Sequence, residues 1–205
     1  TKQYFGENTA IFPIPFGEHT EAEFQAQLVS ADLIVVWLNI EALLLGQFYS
    51  LAEQDADGTI ALCKKLHANL TSVSHVKILW LLFEDYGIPL SVAVGHVCHD
   101  FADKLNLKLR DALGDQALFI DLKHLIAEVG ILNAYDAKSK YRWNAPYSKT
   151  LVEAAVKEIH KQYLIEKGDT KKCLVLDCDN VLWGGILSED GMENLKLGGS
   201  GLGHV

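Results

Sequence analysis

The sequence has little of what marks nucleic-acid-binding, membrane or low-complexity proteins. Basic residues are outnumbered, with 18 Lys and Arg against 27 Asp and Glu, and the formal net charge is −9. A general nucleic-acid binder needs a basic stripe, so this balance excludes that class. The longest apolar stretches, such as residues 78–83, are far shorter than the ~20 residues that cross a membrane. No signal peptide or repeat is found, so we expect a globular protein with no membrane span.

Cysteine is scarce as well. The four cysteines, Cys63, Cys98, Cys173 and Cys178, form no Cys-x-x-Cys pair, and the eight histidines show no zinc-type spacing. A disulfide framework of the secreted kind is therefore not expected. We predict free thiols and a location in the reducing cytoplasm.

Apolar runs and helical patterns alternate along the first 122 residues. Strands are predicted at residues 10–14, 33–38, 77–83 and 117–121. Apolar residues at helical spacing lie at residues 24–28, where Thr20 is a plausible cap, and at 60–70, 97–109 and 152–163. Such alternation predicts an α/β fold: a three-layer, doubly wound parallel sheet of flavodoxin type with helices on both faces.

A polar, turn-like stretch at residues 168–172 follows a long helical pattern and precedes a new strand-like run. This composition is typical of a domain boundary. We therefore divide the chain into an α/β domain at residues 1–167 and the start of a second domain at residues 168–205.

The chemistry-bearing motif lies in that second part. The apolar run at residues 173–177 leads directly into Asp177 and Asp179, which are two positions apart. Extended geometry would point both carboxylates to one side. In parallel sheets ligands bind beyond the carboxyl ends of strands, where two carboxylates can hold Mg²⁺ and also serve as nucleophile and proton carrier. The alternative is that Asp-x-Asp is only a polar turn. Residues 186–197 around Glu189-Asp190-Gly191 predict a flap-like hairpin.

Residues 171–185 carry a specific resemblance. They read Lys-Lys-Cys-Leu-Val-Leu-Asp-Cys-Asp-Asn-Val-Leu-Trp-Gly-Gly, which is similar to the hallmark of the FkbH-like family, except that Val181 replaces the usual Thr. Members of that family have an SGNH-hydrolase-like domain followed by a phosphatase domain of the haloacid-dehalogenase (HAD) type. Tyr135-Asp136 and residues 146–148 resemble the linker between the two domains. The resemblance implies an SGNH-like first domain, then the first strand and flap of a HAD Rossmann-like domain.

The resemblance also implies roles for individual residues. Asp177 would be the nucleophile that forms an aspartyl-phosphate, and Asp179 would be the general acid and base. Mg²⁺ would be bound by the Asp177 carboxylate and the Asp179 main-chain carbonyl. The substrate would be a phosphorylated small molecule, and in studied members a glyceryl unit from a phosphorylated glycolytic acid is loaded onto an acyl carrier protein.

Other functions stay open at this point. We expect the SGNH-like part to begin after its first strand. Asn39 suits the family's Asn position, and Asp136 is followed by Ala137-Lys138-Ser139 without the expected His. Asn39 and Asp136 are therefore candidate remnants of an SGNH site. A non-catalytic docking domain for a carrier protein is the main alternative, and an esterase is the weaker one. Because the later HAD motifs normally lie downstream of residue 205, we expect this chain alone to be inactive.

Overall fold

The computed structural model describes residues 2–14, 18, 20–43, 53–85, 92–143, 146–169, 187–191 and 193. The chain divides into two compact units, Thr1–Lys167 and Gly168–Val205. In the first unit the helices are α1 (Lys2–Phe5), α2 (Ala22–Val29), α3 (Ile40–Leu43), α4 (Glu53–Val73), α5 (Val92–Leu113), α6 (Leu122–Val129), α7 (Ile131–Ala134), α8 (Ala137–Trp143) and α9 (Lys149–Lys167). The strands are β1 (Ile34–Trp37), β2 (Ile78–Leu81) and β3 (Ala117–Ile120).

The three described strands form one parallel sheet in the order β1-β2-β3. Ile34 pairs with Ile78, and Ile78 pairs with Ala117. The central strand β2 is buried at all four positions, which explains its unbroken apolar sequence, since both of its faces are covered. The three strands at residues 33–38, 77–83 and 117–121 and the parallel α/β class are confirmed. Because the described strands follow one another in sequence order, they contain no reversal of the kind that defines double winding.

The side chains of the sheet alternate between two hydrophobic clusters. Ile78 and Trp80 pack with residues of α4 and α5, whereas Leu79 and Leu81 pack with residues of α6 and α9. Helices therefore cover both faces of the sheet. Burying a side chain such as Leu79, which is 0% exposed, contributes about 1.5–3 kcal/mol, so these two clusters hold the unit together.

Several predicted details are wrong. Residues 10–14 form no strand: Ile11 and Phe12 are 63% and 57% exposed, so there is no buried face to select extended pairing. Thr20 is not the cap of α2, which starts after Glu21 and has no side-chain cap. The buried face of α9 is formed by Leu151, Ala155 and Ile159, so Val152, which is 38% exposed, lies outside it.

In the second unit, described at residues 168–169, 187–191 and 193, the chain forms a helical turn, α10 (Leu187–Asp190). The hairpin turn predicted at residues 189–191 is therefore wrong, and the arm predicted at residues 195–197 lies outside the described residues. Gly191 has φ +70°, a conformation that commonly ends a helix, so the Asp-Gly pair stops a helical turn here. The predicted strand at residues 173–177 lies outside the described residues, and so do Asp177 and Asp179. No helix in the described ranges is both long and apolar enough to cross a membrane.

Candidate functional site

The carboxyl ends of β1, β2 and β3 meet at one edge of the sheet, because the strands are parallel. Several polar side chains of the first unit converge there, and the chain beyond β2 brings two of them, Glu84 and Asp85, which are 5% and 8% exposed. Buried carboxylates at such an edge either bind a ligand or are paired inside the protein. Their partners decide between these two roles.

Asn106 of α5 fixes the end of β2. Its Oδ1 accepts a hydrogen bond from the Phe83 backbone N–H at 2.8 Å, and its Nδ2 donates to the Phe83 carbonyl at 2.9 Å. The side-chain amide thus pairs with both backbone groups of Phe83 as a neighbouring strand would. This pairing carries the chain past Leu81 in a defined direction and sets where Glu84 and Asp85 lie.

Glu84 joins β2 to the segment between α7 and α9. The Tyr135 hydroxyl donates to Glu84 Oε2 at 2.5 Å, and the Tyr147 hydroxyl donates to Glu84 Oε1 at 2.8 Å. Burial raises the pKa of both phenols, and the Glu84 charge raises it further, so both remain protonated donors. Tyr135 and Tyr147 also form an antiparallel bridge with each other, and the Tyr147 ring lies 5.1 Å from the Trp37 ring. The cluster links the ends of β1 and β2 to this segment.

Asp85 pairs with Lys123 of α6. Lys123 Nζ lies 3.2 Å from Asp85 Oδ1 and 2.7 Å from Asp103 Oδ1. Burial acts to lower the pKa of Lys123, but the hydrogen bonds and charges of Asp103 and Asp85 outweigh it and raise that pKa. The ammonium therefore stays charged between two carboxylates. The Asp85–Lys123 ion pair therefore connects the segment after β2 to α6, the helix that follows β3.

Asn39 and Asp136, the predicted SGNH-type residues, have these positions in the structure. Asn39 directly precedes α3, and its carbonyl accepts a bond from the Leu43 N–H at 3.2 Å. The Asp136 carboxylate accepts from the Lys138 N–H at 3.0 Å and from the Ser139 hydroxyl at 2.6 Å, at the start of α8. The Ser139 bond is the main reason that the pKa of Asp136 is lowered. Asp136 therefore acts as a helix cap in this structure.

Glu84 and Lys123 were not among the predicted site residues. Glu84-Asp85 nevertheless follows the predicted strand 77–83 directly, which is the same strand-then-acid signal that drew attention to Asp177 and Asp179. Lys123 carried no comparable signal, because its partners lie 20 or more residues away in sequence. Within the described residues no cluster of three His, Cys, Asp or Glu side chains is arranged to hold a metal ion.

The first unit thus has the architecture of a parallel α/β protein in which the described acidic residues beyond β2 are paired within the protein. No family model matches the sequence, and no curated protein matches it. Among solved structures, the chain is similar to the N-terminal part of protein BF1531 from Bacteroides fragilis, which contains a phosphatase domain and was crystallised in complex with Mg. The identity is 20% and the TM-score 0.59, over 95% of this chain and 54% of that one. The chain therefore shares its fold with that protein and spans about half of its length.

Proposed function

We propose that this chain is part of a Mg²⁺-dependent phosphatase of the HAD type. The observation that carries the proposal is the strand-like run at residues 173–177 that ends in Asp177 and Asp179. The fold shared with a protein that contains a phosphatase domain complexed with Mg supports it. In this proposal residues 1–167 are an SGNH-like domain, with Asn39 and Asp136 as remnants of its site. Residues 168–205 begin the phosphatase domain of a cytoplasmic protein.

The proposed reaction uses the two carboxylates in sequence. An Asp177 oxygen attacks the phosphorus atom, the bond from phosphorus to the leaving oxygen breaks, and Asp179 gives that oxygen a proton. Asp179 then takes a proton from water, whose oxygen attacks the aspartyl-phosphate and releases inorganic phosphate. Bound Mg²⁺ supplies charge neutralisation of the phosphoryl group. Carboxylate and carbonyl oxygens, the donors that Asp177 and Asp179 offer, are those that Mg²⁺ prefers.

The substrate we propose is a phosphorylated small molecule of the glyceric acid type. The partner is an acyl carrier protein that receives the glyceryl unit before or as the phosphate is removed. The substrate must carry an acyl phosphate as well as a phosphate ester: the carrier thiol displaces the acyl phosphate to form the thioester, and Asp177 removes the ester phosphate. The expected result is a gain in carrier mass by one glyceryl group with release of two phosphates per carrier. If phosphate is released but the carrier gains no mass, the proposal of a carrier-protein partner is refuted and the proposal of a phosphatase stands.

The test of the phosphatase itself uses the longest natural protein that contains this chain. With p-nitrophenyl phosphate and Mg²⁺, Asp177→Asn should lower kcat by about a thousandfold or more, because it removes the nucleophile. Asp169→Asn is the matched control, since Asp169 is exposed and lies outside the motif. Phosphate release that survives Asp177→Asn, or that is unaffected by removing divalent cations, would overturn the proposal.

A further inference from the structure

The outer edge of β3 presents backbone groups that pair with no other strand among the described residues. Among the described strands, β3 is an outer strand. The Ile120 carbonyl accepts from the Leu82 N–H at 2.8 Å, so Ile120 directs its backbone groups towards the chain of β2. Residues of a parallel ladder alternate in this respect, and the N–H and C=O of Phe119 therefore point the other way. Ala117 and Phe119 thus direct a donor and an acceptor each to the edge, and of these two Phe119 lines the cavity described next.

A cavity of about 290 Å³ lies beside this edge, where β3 meets α6 and α9. Its lining residues are Phe119, Ile120, Asp121, His124, Leu125, Glu128, Glu158 and Lys161. This volume is slightly below the ~300–1,000 Å³ range of small-molecule sites. A single long side chain is therefore a better match than a large cofactor.

The charge of the lining selects the sign of that side chain. The lining contains the carboxylates of Asp121, Glu128 and Glu158 and the ammonium of Lys161, a formal balance of −2 among these four residues. Lys161 Nζ lies 3.3 Å from Glu158 Oε2, and Glu128 Oε1 lies 3.3 Å from the ring of His124. The Glu128 side chain is 60% exposed, so it can turn towards an incoming cation at little cost. A basic side chain fits this lining, and an acidic one would be repelled.

We propose that the β3 edge and this cavity form a docking site for an extended peptide segment that carries a basic side chain. The peptide main chain pairs with the N–H and C=O of Phe119, as in strand addition to other sheet edges. Its Lys or Arg side chain enters the cavity between Glu128 and Glu158. The site lies within the first unit and is independent of the proposed phosphatase motif. Charged residues can also serve only to keep edges from aggregating, and such an edge would show no preference for peptide charge.

The binding test uses the ¹⁵N-labelled chain and two blocked peptides, acetyl-Thr-Val-Lys-Val-Thr-amide and the same peptide with Glu in place of Lys. We expect the Lys peptide to shift the Phe119 amide resonance and to saturate in about the millimolar range, which is typical of one short strand with one charge contact. The Glu peptide should leave this resonance unchanged. Raising the salt concentration to about 0.5 M should weaken binding of the Lys peptide, because the contact between its ammonium and the carboxylates is largely exposed.

Variants separate the cavity from general surface charge. The double variant Glu128→Gln with Glu158→Gln should raise the dissociation constant of the Lys peptide about fivefold, which corresponds to the free energy that exposed charge pairs contribute. Glu153→Gln is the matched control, since Glu153 lies on the same helix as Glu158 but outside the cavity, 3.6 Å from Lys149. The proposal would be overturned if both peptides bound equally well, or if Glu153→Gln weakened binding of the Lys peptide as much as the double variant does. It would also be overturned if the Phe119 resonance shifted only with protein concentration, which would indicate self-association through this edge.

Discussion

Replacing Asn106 by alanine removes both side-chain hydrogen bonds that hold the end of β2. These bonds, of 2.8 and 2.9 Å, satisfy the N–H and C=O of Phe83, a residue that is only 1% exposed. A buried backbone group left unpaired costs about 1–3 kcal/mol. Asn106 itself is half-buried, so water can replace part of the loss. We therefore expect Asn106→Ala to lower the free energy of unfolding by about 2–4 kcal/mol.

Urea unfolding followed by far-UV circular dichroism measures this change. Asn133→Ala is the matched control, because the Asn133 amide makes a 3.2 Å bond to the Val129 carbonyl at an exposed position, and it should cost less than about 0.5 kcal/mol. A loss for Asn106→Ala no larger than that of the control would refute the reasoning.

Asn106→Asp sharpens the test and keeps it usable if the alanine variant fails to fold. The introduced carboxylate can still accept from the Phe83 N–H but, when ionised, cannot donate to the Phe83 carbonyl. Protonation restores a donor, so the folded state raises the pKa of the introduced group above its unfolded value. Stability is then present at low pH and lost as pH rises through the folded pKa. The deficit against the native sequence should therefore grow between about pH 4 and pH 7, and a deficit that shrinks would contradict the assignment.

Three further predictions concern His67, Asp121 and Cys63. His67 is 3% exposed, and burial lowers its pKa from 6.5. Because the unfolded state then binds more protons on acidification, stability falls as pH drops below about 6.5. His67→Leu should flatten that part of the stability–pH curve. Asp121 accepts from the backbone N–H groups of Lys123 and His124 at 3.0 and 3.3 Å, so Asp121→Ala should cost about 1 kcal/mol in urea unfolding, and Asp121→Asn much less. Burial raises the pKa of the Cys63 thiol to about 12; in a variant with serine at the other three cysteines, Cys63 should react with a disulfide reagent at pH 8 only after urea is added, and rapid native reaction would contradict its burial.

The strands of the sheet were predictable from the sequence because each has a cause that acts locally. The run at residues 78–83 is apolar at every position, which is typical of a strand covered on both faces. β1, an outer strand among those described, has a less complete burial pattern, with Val35 37% exposed, but its β-branched residues still favour extended structure.

Other elements depended on packing that the sequence does not display. Residues 10–14 have strand composition but no described strand beside them, and only Ile14 packs against the core. The Asp190-Gly191 pair is a common hairpin signal, yet a glycine with positive φ also ends helices. A two-residue pattern cannot separate these outcomes, because both use the same backbone conformation.

A short pattern is also insufficient for the site, because an acidic residue after a strand can be structural or catalytic. Glu84 and Asp85 lie three and four residues beyond β2, and Asp121 directly follows β3. Glu84 is paired with two tyrosines, Asp85 with a lysine, and Asp121 with the first turn of α6. Their substitution should lower stability, since it leaves these partners without their hydrogen bonds or ion pair. A catalytic Asp177 must instead keep its oxygens available for phosphorus. In the longer natural protein, Asp177→Asn should therefore leave the free energy of unfolding in urea unchanged within about 0.5 kcal/mol and lower kcat for phosphate release by about a thousandfold or more. A purely structural Asp177 would give the opposite pair of results.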